Sequence, residues 1–337
     1  MRAILFLKKI FLFVSFYIVL CFLLSRCNEP VNSSPCGGID PLRVPAPPYY
    51  NPIWHPSGLF IGFNHTPLRV IDYSDICYPV QRFQGDSTGF WLINVDGTEK
   101  RRILPHTLQT PEWSPDGEWI AFVSGAQIFK MKFTGNAFDT TTIVQLTKFG
   151  RNFFPSWSPD GQMIAYDSND KSVTGLNFIW TMKKDGSSKK RINYEPSEGE
   201  IRMPCWSSDG RKITHIRFLN GVQGSEIFIM DSSGNNPIRI TLNTLDDRYP
   251  KYSHNGLKIA FLSNNTIWSI DTLGKNLRQL VTEGVGASSG VPFSWKPNDF
   301  LIVYSKYSSN DWTYKNGTLW ILDTNTGEKK QLTYNYH

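Results

Sequence analysis

The chain has 337 residues, 14% of them aromatic, with 26 Gly and 21 Pro; this composition suits a large core and many turns and argues against long helices. The formal charge of +6 does not mark a nucleic-acid binder. Arg2, Lys8, Lys9 and Arg26 belong to an apolar N-terminal segment, and the other 31 basic residues are scattered among 29 acidic ones. The short run Lys183-Lys184 and Lys189-Lys190-Arg191 flanks an Asp185-Gly186 turn and reads as a solvated hairpin end, so no nucleic-acid partner is expected.

Residues 1–26 read as a secretory signal, with a basic start followed by the uncharged run Ile10 to Leu24. Fifteen helical residues cover only about 22 Å of a roughly 30 Å hydrocarbon core, too little for a comfortable transmembrane span. Leu24-Ser25-Arg26-Cys27 resembles a lipobox, in which Cys27 would carry a lipid; Arg26 departs from the small residue usual there. Soluble secretion and an uncleaved anchor are the other readings. Residues 27–48, rich in Pro, Ser and Gly, form a tether that would hold a domain at 49–337 clear of a membrane. The expected location is therefore outside the inner membrane, as an outer-membrane lipoprotein facing the periplasm or the cell surface.

Five cysteines without a C-x-x-C pair exclude a zinc ribbon or redox motif. Cys36 and Cys77 could pin the tether to the domain, whereas Cys205, beside a repeat aromatic, reads as a buried inert thiol.

From residue 54 onward one phrase returns six times: an aromatic residue, a Ser-Pro-Asp-Gly-like turn and an alternating apolar run. The copies are Trp54-His-Pro-Ser-Gly58, Trp113-Ser-Pro-Asp116-Gly117, Trp157-Ser-Pro-Asp160-Gly161, Trp206-Ser-Ser-Asp209-Gly210, Tyr252-Ser-His-Asn-Gly256 and Trp295-Lys-Pro-Asn-Asp299. Their aromatic residues stand 59, 44, 49, 46 and 43 positions apart, a spacing that signals a repeat architecture. In the third copy Phe153–Ser158 predicts a first strand and Gln162–Asp167 a second. Asn177–Met182 predicts a third and Lys190–Asn193 a short outer one. Pro159-Asp160-Gly161 supplies the turn between the first two: Pro fixes φ, Asp bonds its own backbone and Gly accepts positive φ.

The same order recurs in the other copies, with second strands such as Trp119–Phe122 and Lys258–Phe261 and outer strands ending at Gln145–Thr147 and Gln331–Thr333. Six units of four short antiparallel strands predict an all-β fold, a six-bladed β-propeller in which blades too small to bury both faces stack around an axis. The repeat aromatics Trp113, Trp157 and Trp206 are expected to wedge between blades, and Asp116, Gly117, Asp160, Gly161, Asp209 and Gly210 to shape the turns. The ring would close by packing alone, or with Asp40 to Ala46 as an added edge strand.

The phrase W-S-P-D-G-x-x-I-A-F, with its I-W/F-x-M-D/K strand and closing L-T, resembles the WD40-like Asp-rich repeat of the TolB propeller over residues 49–337. Copies two and three are faithful; the first, fifth and sixth have drifted. TolB carries an α/β domain before its propeller, where this sequence has the tether. The resemblance is thus to a TolB-like propeller lipoprotein rather than to TolB itself, and contacts made by that α/β domain do not carry over.

Catalytic signals are weak. Gly85-Asp-Ser87-Thr-Gly89 and Gly286-Ala-Ser288-Ser-Gly290 match G-x-S-x-G but lack the strand-to-helix context of a nucleophile elbow. The six histidines show no H-x-H or H-E-x-x-H spacing, and His55 and His254 occupy turn positions where a surface role is the default. Asp323 to Glu328 lacks the length of a calcium loop. No metal or cofactor is expected.

What remains is the ring of loops joining each blade's outer strand to the next inner strand: Pro105–Pro111, Thr147–Pro155, Asn193–Pro204, Thr241–Pro250 and Thr282–Pro292. Arg151, Glu200, Arg202, Asp247 and Arg248 in these loops are the candidate binding residues. Arg202 and Arg248 both stand two residues before the repeat Pro, so neighbouring blades would present paired guanidiniums suited to a carboxylate. The expectation is a non-catalytic, monomeric binding scaffold for an envelope protein, peptide or glycan. The rival expectation is a polysaccharide lyase or glycosidase with its site at the propeller axis.

Overall fold

The structure, a computed structural model, describes residues 49–72, 80–192, 199–219, 224–285, 290–297, 300–306 and 318–334. The chain divides into two compact units, Met1–Arg43 with Ile71–Val80, and Val44–Val70 with Gln81–His337. Nearly all of the first unit, including Cys27, Cys36 and Cys77, lies outside the described residues, as does the stretch from Asp40 to Ala46.

The second unit is a six-bladed propeller of four-stranded antiparallel sheets. Blade 1 comprises β1 (Tyr49–Trp54), β2 (Phe60–His65), β5 (Gly89–Asn94) and β6 (Arg101–Leu104), with the pair β3 (Leu68–Asp72) and β4 (Val80–Phe83) inserted after β2. Blade 2 is β7 (Gln109–Trp113), β8 (Trp119–Ser124), β9 (Gln127–Phe133) and β10 (Phe138–Gln145). Blade 3 is β11 (Asn152–Trp157), β12 (Met163–Ser168), β13 (Phe178–Lys183) and β14 (Lys190–Arg191). Blade 4 is β15 (Ile201–Trp206), β16 (Lys212–Phe218), β17 (Ser225–Asp231) and β18 (Ile238–Arg239). Blade 5 is β19 (Asp247–Tyr252), β20 (Lys258–Ser263), β21 (Thr266–Asp271) and β22 (Arg278–Gln279). Blade 6 is β23 (Phe293–Trp295), β24 (Leu301–Lys306), β25 (Thr318–Asp323) and β26 (Lys329–Gln331).

The turn after each inner strand explains the recurring Ser and Asp. In blade 2 the Ser114 hydroxyl donates to Asp116 Oδ1 (2.5 Å) while its oxygen accepts the Trp119 N–H (2.9 Å). Asp116 Oδ1 also accepts the Glu118 N–H (3.0 Å). The same bonds recur at Ser158-Asp160, Ser207-Asp209 and Ser253-Asn255. These short side chains satisfy backbone donors that the tight turn would leave bare. Bonding to the charged form holds the Asp160 and Asp209 carboxyls below the usual carboxylate range.

Neighbouring blades interlock through the same phrase. Trp157 Nε1 donates to the Glu112 carbonyl of the preceding blade (3.3 Å), and Trp295 Nε1 donates to that of Lys251 (3.1 Å). The turns also nest: a Cβ on Gly161 or Gly210 would meet Pro115 or Pro159 of the preceding blade, and one on Gly256 would meet Ser208. At Gly117, where φ is +73°, a Cβ would stand 2.5 Å from His55 Nε2, so this position combines a left-handed backbone with a neighbour already in place. His55 is accordingly buried rather than a surface residue. Its Nε2 donates to the Gly117 carbonyl (3.2 Å), its Nδ1 accepts from Ser57 (2.8 Å), and its ring stacks on Phe60 at 4.2 Å.

Blade 6 meets blade 1 through side chains. The Trp54 N–H donates to Ser294 Oγ (3.2 Å), Ser305 Oγ donates to the Tyr49 carbonyl (2.5 Å), and Gly58 lies against Lys296. Among the described residues each blade is built from its own four strands, with no strand exchanged across this seam.

A candidate binding site at the channel

The six inner strands line the axis, and five of them share one irregularity. Asn51, Thr110, Phe154, Met203 and Tyr249 have φ between 44° and 57°, and each is followed by Pro. The ladder to the second strand shifts register across every one of these dipeptides. Pro has no N–H to give the ladder, so the strand bulges there and the residue before it turns toward the axis. Left-handed backbone at β-branched Thr110 and at aromatic Phe154 and Tyr249 is strained, and strain of this kind gathers at functional positions.

Thr110, Phe154, Met203, Tyr249 and Val291 thereby form a mostly apolar collar, with Pro111, Pro155, Pro204 and Pro250 between them. The space left inside is about 10 Å³, room for little more than one water. Just beyond the collar, Lys251 Nζ reaches Glu112 Oε2 at 2.9 Å, joining blade 5 to the diametrically opposite blade 2. Burial alone would lower the Lys251 pKa, but the Glu112 carboxylate outweighs it and raises the value. Beyond this pair, toward the Ser-Pro-Asp-Gly turns, a chamber of about 220 Å³ is lined by Ser156, Cys205, Ser208, Trp206, Tyr252 and His254 among others. Cys205 is a free, buried thiol whose pKa burial raises.

The cross-channel pair is testable by a double-mutant cycle. With side chains 17% and 28% exposed, Lys251 and Glu112 are partly solvated. Lys251→Met combined with Glu112→Gln is expected to show a coupling of about 1–2 kcal/mol in urea unfolding. A coupling near zero would mean that the pair does not brace the ring.

The candidate residues separate into two groups. Arg151 is exposed, its guanidinium 5.8 Å from the Phe153 ring. Arg202 stands 5.8 Å from the Phe154 ring of the collar, with its Nε 3.7 Å from Asp167. Arg248 pairs with Asp246, and both Arg202 and Arg248 act electrostatically on the collar residue Tyr249. Glu200 is half-buried and accepts from Asn177 Nδ2 (2.5 Å).

Asp247 is fully buried, accepting from Asn243 Nδ2 (2.8 Å), and burial raises its pKa. It is not displayed at the mouth, because the start of β19 turns its side chain into the packing between blades 4 and 5. Nearby Glu226 is also buried and bonded to Arg239 and Thr241.

Two participants escaped the sequence reading. Asp167 on β12 is completely buried and accepts the Met203 N–H (3.0 Å), tying blade 3 to the collar of blade 4. Burial pushes its carboxyl up to about 7, with Arg202 and the Met203 N–H pulling in the other direction. The collar was the second. Its signal lay in the sequence as a residue-Pro pair ending two positions before the aromatic in copies one to five.

Of the histidines, His55 sits between blade turns, His215 is fully buried in blade 4, and His254 is exposed beside the chamber. Among the described residues no three or more His, Cys, Asp or Glu side chains are grouped to hold a metal ion. Ser87 lies in a turn that leads directly into β5, and the Gly286 match falls mostly outside the described residues.

An apolar collar of left-handed residues at the axis, with Arg202 and Arg248 beside it, sits within a ring of six four-stranded blades. Residues 143–336 match the family described as the TolB beta propeller domain, and the chain belongs to that family. Residues 81–200 also match the N-terminal region of dipeptidyl peptidase IV. An uncharacterized protein of Agrobacterium fabrum is 24% identical over 221 residues, covering 63% of this chain and 71% of that protein. The structure titled putative TolB from Agrobacterium tumefaciens aligns with a TM-score of 0.56 at 21% identity, covering 72% of this chain and 86% of that one. TolB from Acinetobacter baumannii aligns with a TM-score of 0.60 at 20% identity, over 82% of this chain and 63% of that one. An oligogalacturonate lyase in complex with manganese aligns at 0.53 with 10% identity, covering 86% of this chain and 78% of that one. At these identities the structural likenesses concern the fold alone.

Proposed function

We propose that this protein is an exported, non-catalytic binding scaffold of the bacterial envelope, anchored by a lipid on Cys27, that takes a protein segment at the mouth on the loop side. The observation that carries this reading is the closed collar of Phe154, Met203 and Tyr249 beneath Arg202 and Arg248. An apolar or aromatic side chain of the partner would rest on the collar, while an acidic group beside it would meet a guanidinium. The rim arginines keep their acidic neighbours Asp167 and Asp246 until a partner's carboxylate competes for them. Membership of the TolB propeller family supports an envelope setting.

The test is capture of partners from the native membrane with the full chain and with a Phe154→Ala/Tyr249→Ala variant. The expected result is an envelope protein recovered with the wild type and reduced at least tenfold with the variant. Recovery of no partner, together with turnover of an anionic glycan, would sink the scaffold in favour of an enzyme. Equal recovery with both chains would place the partner elsewhere on the protein.

A further inference from the structure

The residue just before each repeat aromatic changes from blade to blade while the phrase around it recurs. It is Ile53, Glu112, Ser156, Cys205, Lys251 and Ser294 in blades 1 to 6, and all six line the chamber of about 220 Å³ on the turn side of the channel. Glu112 and Lys251 stand on opposite blades and meet across the axis at 2.9 Å, forming the chamber floor. Ser156 and Ser294, also on opposite blades, accept the N–H groups of Trp206 and Trp54 in the next blade (both 3.2 Å), so the ring itself fixes this layer. The collar behind the floor encloses only about 10 Å³, which closes the chamber to anything larger than water from the mouth side. Its rim lies at the turns. Where blades 2 and 3 carry Pro115 and Pro159, blades 4 and 5 carry Ser208 and His254, both exposed and both lining the chamber.

The floor is a charge pair with bonding capacity left over. Among the described residues the Lys251 ammonium gives one of its three N–H groups to a partner, Glu112 Oε2, and Glu112 Oε1 accepts none. No other Asp, Glu, Lys or Arg among the described residues lines the chamber. An anion reaching Lys251 would therefore meet Glu112 beside it, and a cation reaching Glu112 would meet Lys251. A neutral molecule such as a sugar would leave both charges unanswered, and the Trp157 and Trp295 rings, 7% and 9% exposed, offer it no open face. Only a ligand carrying both charges side by side answers both.

We propose that the chamber binds a free α-amino acid, its carboxylate on Lys251 and its ammonium on Glu112. Both charges of such a ligand sit on one carbon, which suits a cation and an anion already in contact. The four charges then alternate in sign around a square, each beside two of the opposite kind. The ligand's side chain extends toward the rim beside Trp206, Tyr252 and Trp295, where an apolar group is well housed. This site is separate from the recognition mouth, and neither reading rests on the other.

The test is titration calorimetry on the full chain in detergent with a complete panel of free L-amino acids, then with the N-acetyl and amide derivatives of the tightest binder. At least one free amino acid is expected to bind in a one-to-one ratio. Its N-acetyl derivative, which lacks the cation, and its amide, which lacks the anion, should each bind about tenfold or more weakly, the effect of losing a charge-assisted bond. Glu112→Gln, an isosteric change, should weaken the free amino acid about tenfold or more while binding the N-acetyl derivative at least as well as wild type does. Lys251→Met should do the same to the free amino acid and spare the amide instead. The two derivatives decide the question even where a variant fails to fold. No saturable binding by any member of the panel, blocked derivatives bound as tightly as the free amino acid, or unchanged affinity in Glu112→Gln would overturn the proposal.

Discussion

Trp157→Ala is expected to lower the unfolding free energy by about 3–5 kcal/mol, the range for deleting a buried Trp side chain. Trp157 is only 7% exposed and packs with Ala121 and Val123 of blade 2 as well as Ile164 and Tyr166 of its own blade. Its loss opens a cavity at a junction rather than within one sheet, and neither blade can close over it alone. Trp157→Phe should cost less, keeping most of the packing and losing the bond to the Glu112 carbonyl, worth about 1 kcal/mol. Trp206 provides the control: its Nε1 has no acceptor, so Trp206→Phe forfeits packing area but no hydrogen bond. Urea titrations followed by far-ultraviolet circular dichroism would measure all three variants. A loss below about 1 kcal/mol for Trp157→Ala would remove the Trp from its role as an inter-blade wedge.

The second large effect is a pH dependence that the wild type conceals. His215 is fully buried, and burial, aided by Arg217, lowers its pKa to about 3; the native ring stays neutral where the unfolded one, near 6.5, takes a proton. Its contribution to stability therefore falls as pH drops from 6.5 toward 3. Asp167 acts in the opposite sense. Its native carboxyl, raised to about 7, keeps a proton that the unfolded chain releases near 4, so its contribution is fullest below 4 and is lost as pH rises to 7.

Between about pH 4 and 6.5 the two slopes are each about 1.4 kcal/mol per pH unit and opposite in sign, so they cancel. Asp167→Asn should unmask the histidine, making the variant lose stability relative to wild type as pH falls through this window. His215→Gln should do the reverse, losing relative stability as pH rises. Urea midpoints measured at several pH values would show two diverging lines. A line parallel to that of the wild type for either variant would mean that the residue it replaces does not titrate as described.

Much of the fold was legible because propeller blades are local objects. Each strand of the third copy announced itself by alternation, and Pro159-Asp160-Gly161 announced the turn between the first two, since the bonds that stabilise it run between residues five apart or fewer. The candidate site was less so. Arg202 and Arg248 were found from their place before the repeat Pro, and both stand by the collar. Asp247, one residue from Arg248, read as equally exposed, yet strand alternation turns it inward. His55 looked like any turn residue, and only the next blade's Gly117 makes it a buried one.

The sequence by itself determined six units, their strand order and the turn chemistry, because these depend on contacts within some fifty residues. Contacts that cross the ring were decided only by the tertiary structure. Glu112 and Lys251 are 139 positions apart and meet because blades 2 and 5 face each other across the axis. The drifted copies are the first, fifth and sixth. Closing the ring seats Trp54 beside Ser294, 240 positions away, and makes those copies neighbours in the ring. Adjacency of first and last follows from the curvature of stacked blades, which no local pattern records.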